Sequence, residues 1–228
     1  MRIAILSAVV LLGACAGDVD QQWQLDHDRI IAVRATPPGI LAGETSVIDA
    51  LVGAKGTSPV EAPPEAATVV SPMSLQGIVR PDAGRWIVVA PDEARLAAAR
   101  TELGLPAGAP VPVSIGVSYA QQTLLGFKTV VLGEARANPA LEDMMIAGAA
   151  PPQTAVVVPA LTDVPLSVKG EDPDVVNWLT SCGTMHDFDL PKAYLRVEKA
   201  DDQEGDLAVV LRKRDGGVAW RVWPIHAE

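Results

Sequence analysis

Short aliphatic runs cut by glycine and proline recur along most of this chain, and their spacing predicts strands rather than helices. In the body, Arg29-Ile30-Ile31-Ala32-Val33-Arg34-Ala35 is ended by Pro37-Pro38, and Gly43-Glu44 opens a second run from Thr45 to Val52. Residues 53–72 carry Pro59, Pro63, Pro64 and Pro72 and read as loop, before a buried strand at Trp86-Ile87-Val88-Val89. From Val111 to Tyr119, apolar Val113, Ile115, Val117 and Tyr119 alternate with Ser114, Gly116 and Ser118, the period of a half-buried strand. Leu124 to Leu132 follows, with Lys128 expected to point outward.

One segment breaks the pattern. Pro91-Asp92-Glu93 opens a helix near 92–104 with an acidic first turn, suited to the positive end of the helix dipole. Leu96, Ala99 and Leu103 share a face, and Gly104 with Pro106 stops the helix.

Asn138-Pro139 is a turn signal and the expected domain boundary. Beyond it, strands are read at Met144 to Ile146, Ala155 to Val158, Val164 to Val168, Val175 to Leu179 and Ala193 to Val197. The chain closes with two apolar runs, 207–212 and 218–223, around Asp215-Gly216-Gly217, a hairpin signal because such a turn needs positive φ at its centre. Strands about 8–12 residues apart, joined by Gly and Pro turns, predict antiparallel sandwiches, with Trp178 packed between two sheets.

The first residues follow a different rule. Met1-Arg2 precedes a ten-residue apolar stretch, Ile3 to Leu12, which is too short for the roughly 20 residues a spanning helix needs. It reads as a secretion signal, residues 1–14. Leu12-Gly13-Ala14-Cys15 has the form of a bacterial lipobox, so Cys15 is expected to be acylated and to begin the mature chain. Two or three acyl chains anchor stably where one does not. Under the enterobacterial lipoprotein sorting rule, which this pattern resembles, Ala16 in place of Asp implies the outer membrane. Residues 15–26 are then a lipidated tether, 27–137 a first domain and 138–228 a second.

Composition narrows the partners. With 228 residues, 49% of them hydrophobic, there is material for two cores. The net charge is −10, and Arg212-Lys213-Arg214 is the one cationic cluster, which argues against nucleic acid. Acylation would use one of the two cysteines, leaving Cys182 without a disulfide partner and expected as a small buried hydrophobe. A catalytic thiol would need a base, for which His186 is the local candidate.

Searching for chemistry gives little. His27, His186 and His226 form no metal-spaced pair, and no phosphate loop or dinucleotide fingerprint occurs. Gly116-Val117-Ser118-Tyr119-Ala120 falls short of a nucleophile elbow and lies in an alternating strand. No catalytic residue, metal ligand or cofactor site is assigned. Two acidic clusters, 171–174 and 201–206, suit hard cations in residue type but lack calcium-loop spacing, and read as solvated turns. The tryptophans (23, 86, 178, 220 and 223) include potential sugar-stacking platforms, with Trp178 and Trp220 read as core.

The mature chain resembles a group of outer-envelope lipoproteins from large-genome Gram-negative bacteria, built from tandem immunoglobulin-like domains. The matching stretches are Arg29-Ile-Ile-Ala-Val-Arg-Ala-Thr-Pro-Pro, Ala42-Gly-Glu-Thr, Leu103-Gly-Leu-Pro, Lys128-Thr-Val-Val, Asn138-Pro-Ala-Leu, Val176-Asn-Trp-Leu-Thr-Ser-Cys-Gly, Val209-Val-Leu-Arg and Asp215-Gly-Gly-Val-Ala-Trp. The resemblance implies an all-β pair of sandwiches with one short helix, preceded by a cleaved signal helix. Residues 53–85 are short and lack the cysteines of that group, so the first domain is expected to be incomplete. The expected function is a non-catalytic adhesion, assembly or structural module held to the membrane by its lipid, with an envelope protein or a saccharide as partner. A calcium- or saccharide-binding module is the alternative, and an envelope hydrolase using Cys182 and His186 comes last.

Overall fold

The computed structural model describes residues 21–141, 144–168 and 175–228, so Cys15, the leader and the acidic stretch 171–174 lie outside the described residues. The first unit contains β1 (Arg29–Thr36), β2 (Gly39–Ile40), β3 (Thr45–Ala54), β4 (Thr57–Ala62), β5 (Ala66–Ser71), β6 (Val79–Asp82), β7 (Arg85–Val89), α1 (Glu93–Leu103), β8 (Val111–Tyr119) and β9 (Leu124–Leu132). One sheet runs β1-β3-β7-β6, with β4 also paired to β3, and the facing sheet runs β2-β9-β8-β5. The second unit contains β10 (Met144–Ile146), β11 (Val156–Val158), β12 (Val164–Val168), β13 (Val175–Thr180), β14 (Thr184–His186), β15 (Lys192–Arg196), β16 (Glu204–Arg212) and β17 (Val218–Ala227). Its sheets run β10-β12-β15-β14 and β11-β17-β16-β13.

Setting β4 aside, the strands of each unit take the same places in chain order. The first, third, fifth and sixth build one sheet, and the short second strand joins the last, seventh and fourth in the other. That is the order of a seven-stranded immunoglobulin sandwich whose first strand switches sheets. In both units the switched segment pairs in parallel with the last strand, β2 with β9 and β11 with β17, while the other ladders are antiparallel. The described residues form two immunoglobulin-like β-sandwiches with one short α-helix.

The first unit is complete, contrary to expectation. Residues 53–85 provide β4, β5, β6 and a single 3₁₀ turn, Met73–Leu75. The prolines that made this region look like loop sit where a sheet tolerates a missing N–H. Pro59 falls where the β3–β4 register shifts, Pro63-Pro64 separates β4 from β5, and Pro72 directly follows the end of β5.

Helix α1 forms where its ends are specified. Asp92 accepts the Arg95 N–H at 2.9 Å, and Gly104 takes the left-handed cap at φ 66°. Leu96 and Ala99 are buried against the first core, and Leu103 packs at its margin. The closing hairpin also forms as expected, with Gly216 at φ 94° and Lys213 N–H bonded to Gly217 O at 2.8 Å.

Three apolar clusters hold the molecule. Ile48, Val113, Ile115 and Leu132 centre the first sandwich, and Trp178, Trp223, Leu166, Leu195 and Leu207 the second. A third joins the two: Leu25, Ile31, Ala32 and Leu51 meet Leu179, Ala208, Val210, Val218 and Trp220. This seam explains the unbroken apolar run of β16. Leu207, Val209 and Leu211 face the second core while Ala208 and Val210 face the seam, so both sides are dry and alternation disappears.

The end of the stretch read as a tether is docked. Leu25 N–H bonds Thr180 O, and Thr180 N–H bonds Trp23 O, each at 2.9 Å, laying residues 23–25 along the edge of β13. Leu25 is fully buried, and burial of a leucine is worth about 1.5–3 kcal/mol. The segment also covers an edge strand that would otherwise offer unpaired backbone groups.

Candidate binding surfaces

Among the described residues, the cysteine, histidine and serine candidates are not brought together. Cys182 is buried in the second core, and its thiol lies 3.8 Å from Thr180 Oγ1. Burial pushes the thiol pKa up; the Thr180 hydrogen bond opposes this, and the charges of Asp206, Asp201 and Asp202 add to it. Such a thiol is inert rather than nucleophilic. His186 stands exposed on β14 and makes no hydrogen bond to Cys182. His226 lies near Glu204 and Glu228 at 3.6 and 3.8 Å on the interior strand β17, far along the chain from His27. Ser118 sits buried within β8.

The described acidic cluster is taken up by local structure. Asp201 Oδ2 accepts the Glu198 N–H at 2.8 Å, and Asp206 is buried with its backbone tied to Ser181 and Thr180. No group of three His, Cys, Asp or Glu side chains placed to hold a metal ion occurs among the described residues. The tryptophans are all at least half-buried, and Trp178 and Trp223 are fully so.

The seam between the sandwiches holds the most buried charge. Lys128 was expected to point outward; instead it is 5% exposed, and its ammonium donates to Gly216 O at the tip of the β16–β17 hairpin. Burial, helped by the Arg212 charge, pushes its pKa down to about 8, against the opposing pull of Asp215 and Asp49. Beside it, Arg136 donates to Asp215 O at 2.9 Å, and Asn138 bridges Ala35 O and the Val218 N–H at 3.0 and 2.9 Å. The Trp220 indole donates to Glu61 Oε1 at 2.6 Å. Arg34 spans the same contact, bonded to Asp49 Oδ2 at 2.6 Å.

With Lys128 inward, its strand neighbours point out. Leu125 and Phe127 are 72% and 69% exposed, and with Val70 they form an apolar face on the sheet containing β5, β8 and β9. A cleft of about 300 Å³ runs between them over Thr68 and Gly116. Glycine at 116 makes the cleft possible, since a Cβ there would meet Val70 Cγ2 at 3.1 Å. At the end of this face, Ala120, Gln121 and Gln122 all have positive φ (49°, 56° and 67°), strain held by Glu65, which accepts the N–H of Gln121 and Gln122 at 3.0 and 3.2 Å. The signal in the sequence was Leu125-x-Phe127 in phase with Thr129, which alternation shows but does not orient.

Among the described residues, no helix is long and apolar enough to cross a membrane. No family model and no curated protein matches the chain. Many solved structures do, loosely. The fibronectin(III)-like modules of Clostridium thermocellum CbhA match at 12% identity over 86% of this chain and 94% of theirs, with a TM-score of 0.29. The N-terminal Ig1-2 module of the Drosophila receptor protein tyrosine phosphatase DLAR matches at 11% identity over 89% and 100%, also with a TM-score of 0.29. The titin domains z1z2, in complex with telethonin, match at 14% identity over 87% and 98%, with a TM-score of 0.26. At these scores the immunoglobulin-like assignment rests on the strand order of the chain itself.

Proposed function

We propose that this chain is a lipid-anchored envelope protein without catalytic activity, whose two sandwiches act as one rigid adhesion or assembly module. The observation that carries the reading is the exposed Phe127–Leu125 face, on a sheet whose unit is locked to its neighbour by a shared apolar seam. An apolar patch on an otherwise acidic surface is the form of a protein contact site. Anchoring is supported by the leader ending at Leu12-Gly13-Ala14-Cys15. Because residues 23–25 are tied to β13, the chain from Cys15 to Trp23 reaches at most about 28 Å, which would hold the body near the membrane surface. Ala16 supports the outer membrane as the location.

Two experiments test this. Cells fed an alkynyl fatty acid should label the wild-type chain and not Cys15→Ser, and a cytosolic, unlabelled wild type would end the anchoring claim. Photo-crosslinking from position 127 in intact envelopes should trap a defined protein that Phe127→Asp loses. Crosslinks no richer than those from exposed Leu190 would remove the contact face.

A further inference from the structure

On the outward face of β5, β8 and β9, large and small side chains are sorted by strand. Leu125 and Phe127 stand exposed on β9, Ala66 and Thr68 stand exposed on β5, and Gly116 and Ser118 lie between them on β8. The register sets them in rows, Phe127 beside Gly116 beside Thr68, and Leu125 beside Ser118 beside Ala66. The 300 Å³ cleft lies over the small ends of these rows, with Phe127 and Leu125 at its β9 side. Its volume equals that of about ten waters, enough for an aromatic ring. None of the outward positions of the three strands (alternate residues in 66–70, 112–118 and 125–131) is charged, although 20% of the chain is. Copies that each carry a net charge of −10 repel one another, and a contact between them is best made where neither presents a charge.

We infer that this face pairs with the same face of a second copy of the chain, about a two-fold axis running along β8. Rotation about that axis lays β9 of each copy over β5 of the other, large column over small. Phe127 then enters the cleft over Thr68 and Gly116, and Leu125 covers Ala66. The inference rests on the reading of the Phe127 face as a contact site and names its partner. An axis along the strands also leaves both copies with their first residues at the same end, so two chains anchored through Cys15 in one membrane can meet. Three strands about 4.8 Å apart and six residues about 3.3 Å apart make a face of roughly 14 by 20 Å, small for a stable interface. The dimer is therefore weak in solution, with a Kd of about 10–100 µM, and gains from the raised local concentration of shared anchoring.

The full chain carrying Cys15→Ser should sediment as a monomer at about 5 µM and largely as a dimer at about 500 µM. In that background Phe127→Asp should stay monomeric, and so should Thr68→Phe, which fills the cleft. Thr68→Phe combined with Phe127→Thr exchanges the large and small columns and should recover the dimer. Both positions are exposed, and an unchanged Tm shows that each variant is folded. In the anchored chain, p-benzoylphenylalanine at position 127 should join two differently tagged copies through the peptide that carries Thr68. A wild-type chain still monomeric at about 500 µM, or a dimer that Phe127→Asp and Thr68→Phe both leave intact, overturns the pairing. A double variant that stays monomeric removes the placement of β9 over β5. Capture of a different protein from position 127 also overturns the second copy but keeps the contact face, whereas crosslinks no richer than those from Leu190 end both.

Discussion

The Arg34 guanidinium carbon lies 3.9 Å from the centroid of the Trp220 ring, so a residue of the first sandwich covers the face of an aromatic residue of the second. Asp49 and Glu61 flank the guanidinium at 2.6 and 3.4 Å, and Glu61 also accepts the Trp220 indole N–H. The stacked cation, its two carboxylates and the indole form one unit across the seam. A cation over a partly desolvated ring adds about 1–2 kcal/mol to simple burial.

Trp220→Ala should therefore cost about 3–5 kcal/mol in denaturant unfolding, by emptying the seam. Trp220→Phe keeps most of the apolar volume but removes the donor to Glu61, and should cost about 1–2 kcal/mol. Equal costs for the two would contradict the contact.

Lys128 gives stability a pH signature. Its folded pKa of about 8 is below the 10.5 of an exposed lysine, so the unfolded chain binds more protons between those values. The penalty of burying the ammonium is full below pH 8 and is relieved as pH rises towards 10.5. Relative to Lys128→Met, which has no charge to bury, the wild type should gain on the order of 2–3 kcal/mol across that window. A difference between the two proteins that stays flat from pH 7 to 10.5 would refute burial of this charge.

Cys182 should resist alkylation in the native state. With its pKa raised by burial, its reaction with iodoacetamide should be limited by unfolding and become complete within minutes in strong denaturant. Fast native labelling would show an accessible thiol instead.

Gly183 and Gly43 separate two kinds of glycine. Both have positive φ, 71° and 82°, but a Cβ at 183 would sit 2.4 Å from Arg196 O, whereas one at 43 meets nothing within 4 Å. Gly43→Ala should cost about 1 kcal/mol from backbone strain alone. Gly183→Ala must also displace the backbone of the strand beside it, and should lower stability by about 3 kcal/mol or more in thermal melts.

Local chemistry made several elements legible in the sequence. Asp92 and Gly104 bracket α1, Asp215-Gly216 marks the hairpin, and the alternation from Val113 to Tyr119 marks β8. These depend on residues within a turn or two of each other, where backbone propensity and capping suffice. Little of the candidate sites could be read in the same way. The period of Leu124 to Leu132 shows a strand but not its orientation, and Lys128 turned inward because an acceptor 88 residues away, Gly216 O, is there to receive it. Residues 53–72 looked like loop because edge strands carry proline and exposed side chains that interior strands do not.

Strand spacing, the helix ends and the closing turn were thus determined by the sequence itself. Only the tertiary structure decided that β16 is dry on both faces, that Leu25 is tied to β13 and buried in the seam, that Trp220 reaches Glu61 across 159 residues, and that Phe127 faces outward. The physical reason is that patterning records whether a position is buried, while the partner that buries it comes from a distant part of the chain and is chosen when the two sandwiches dock.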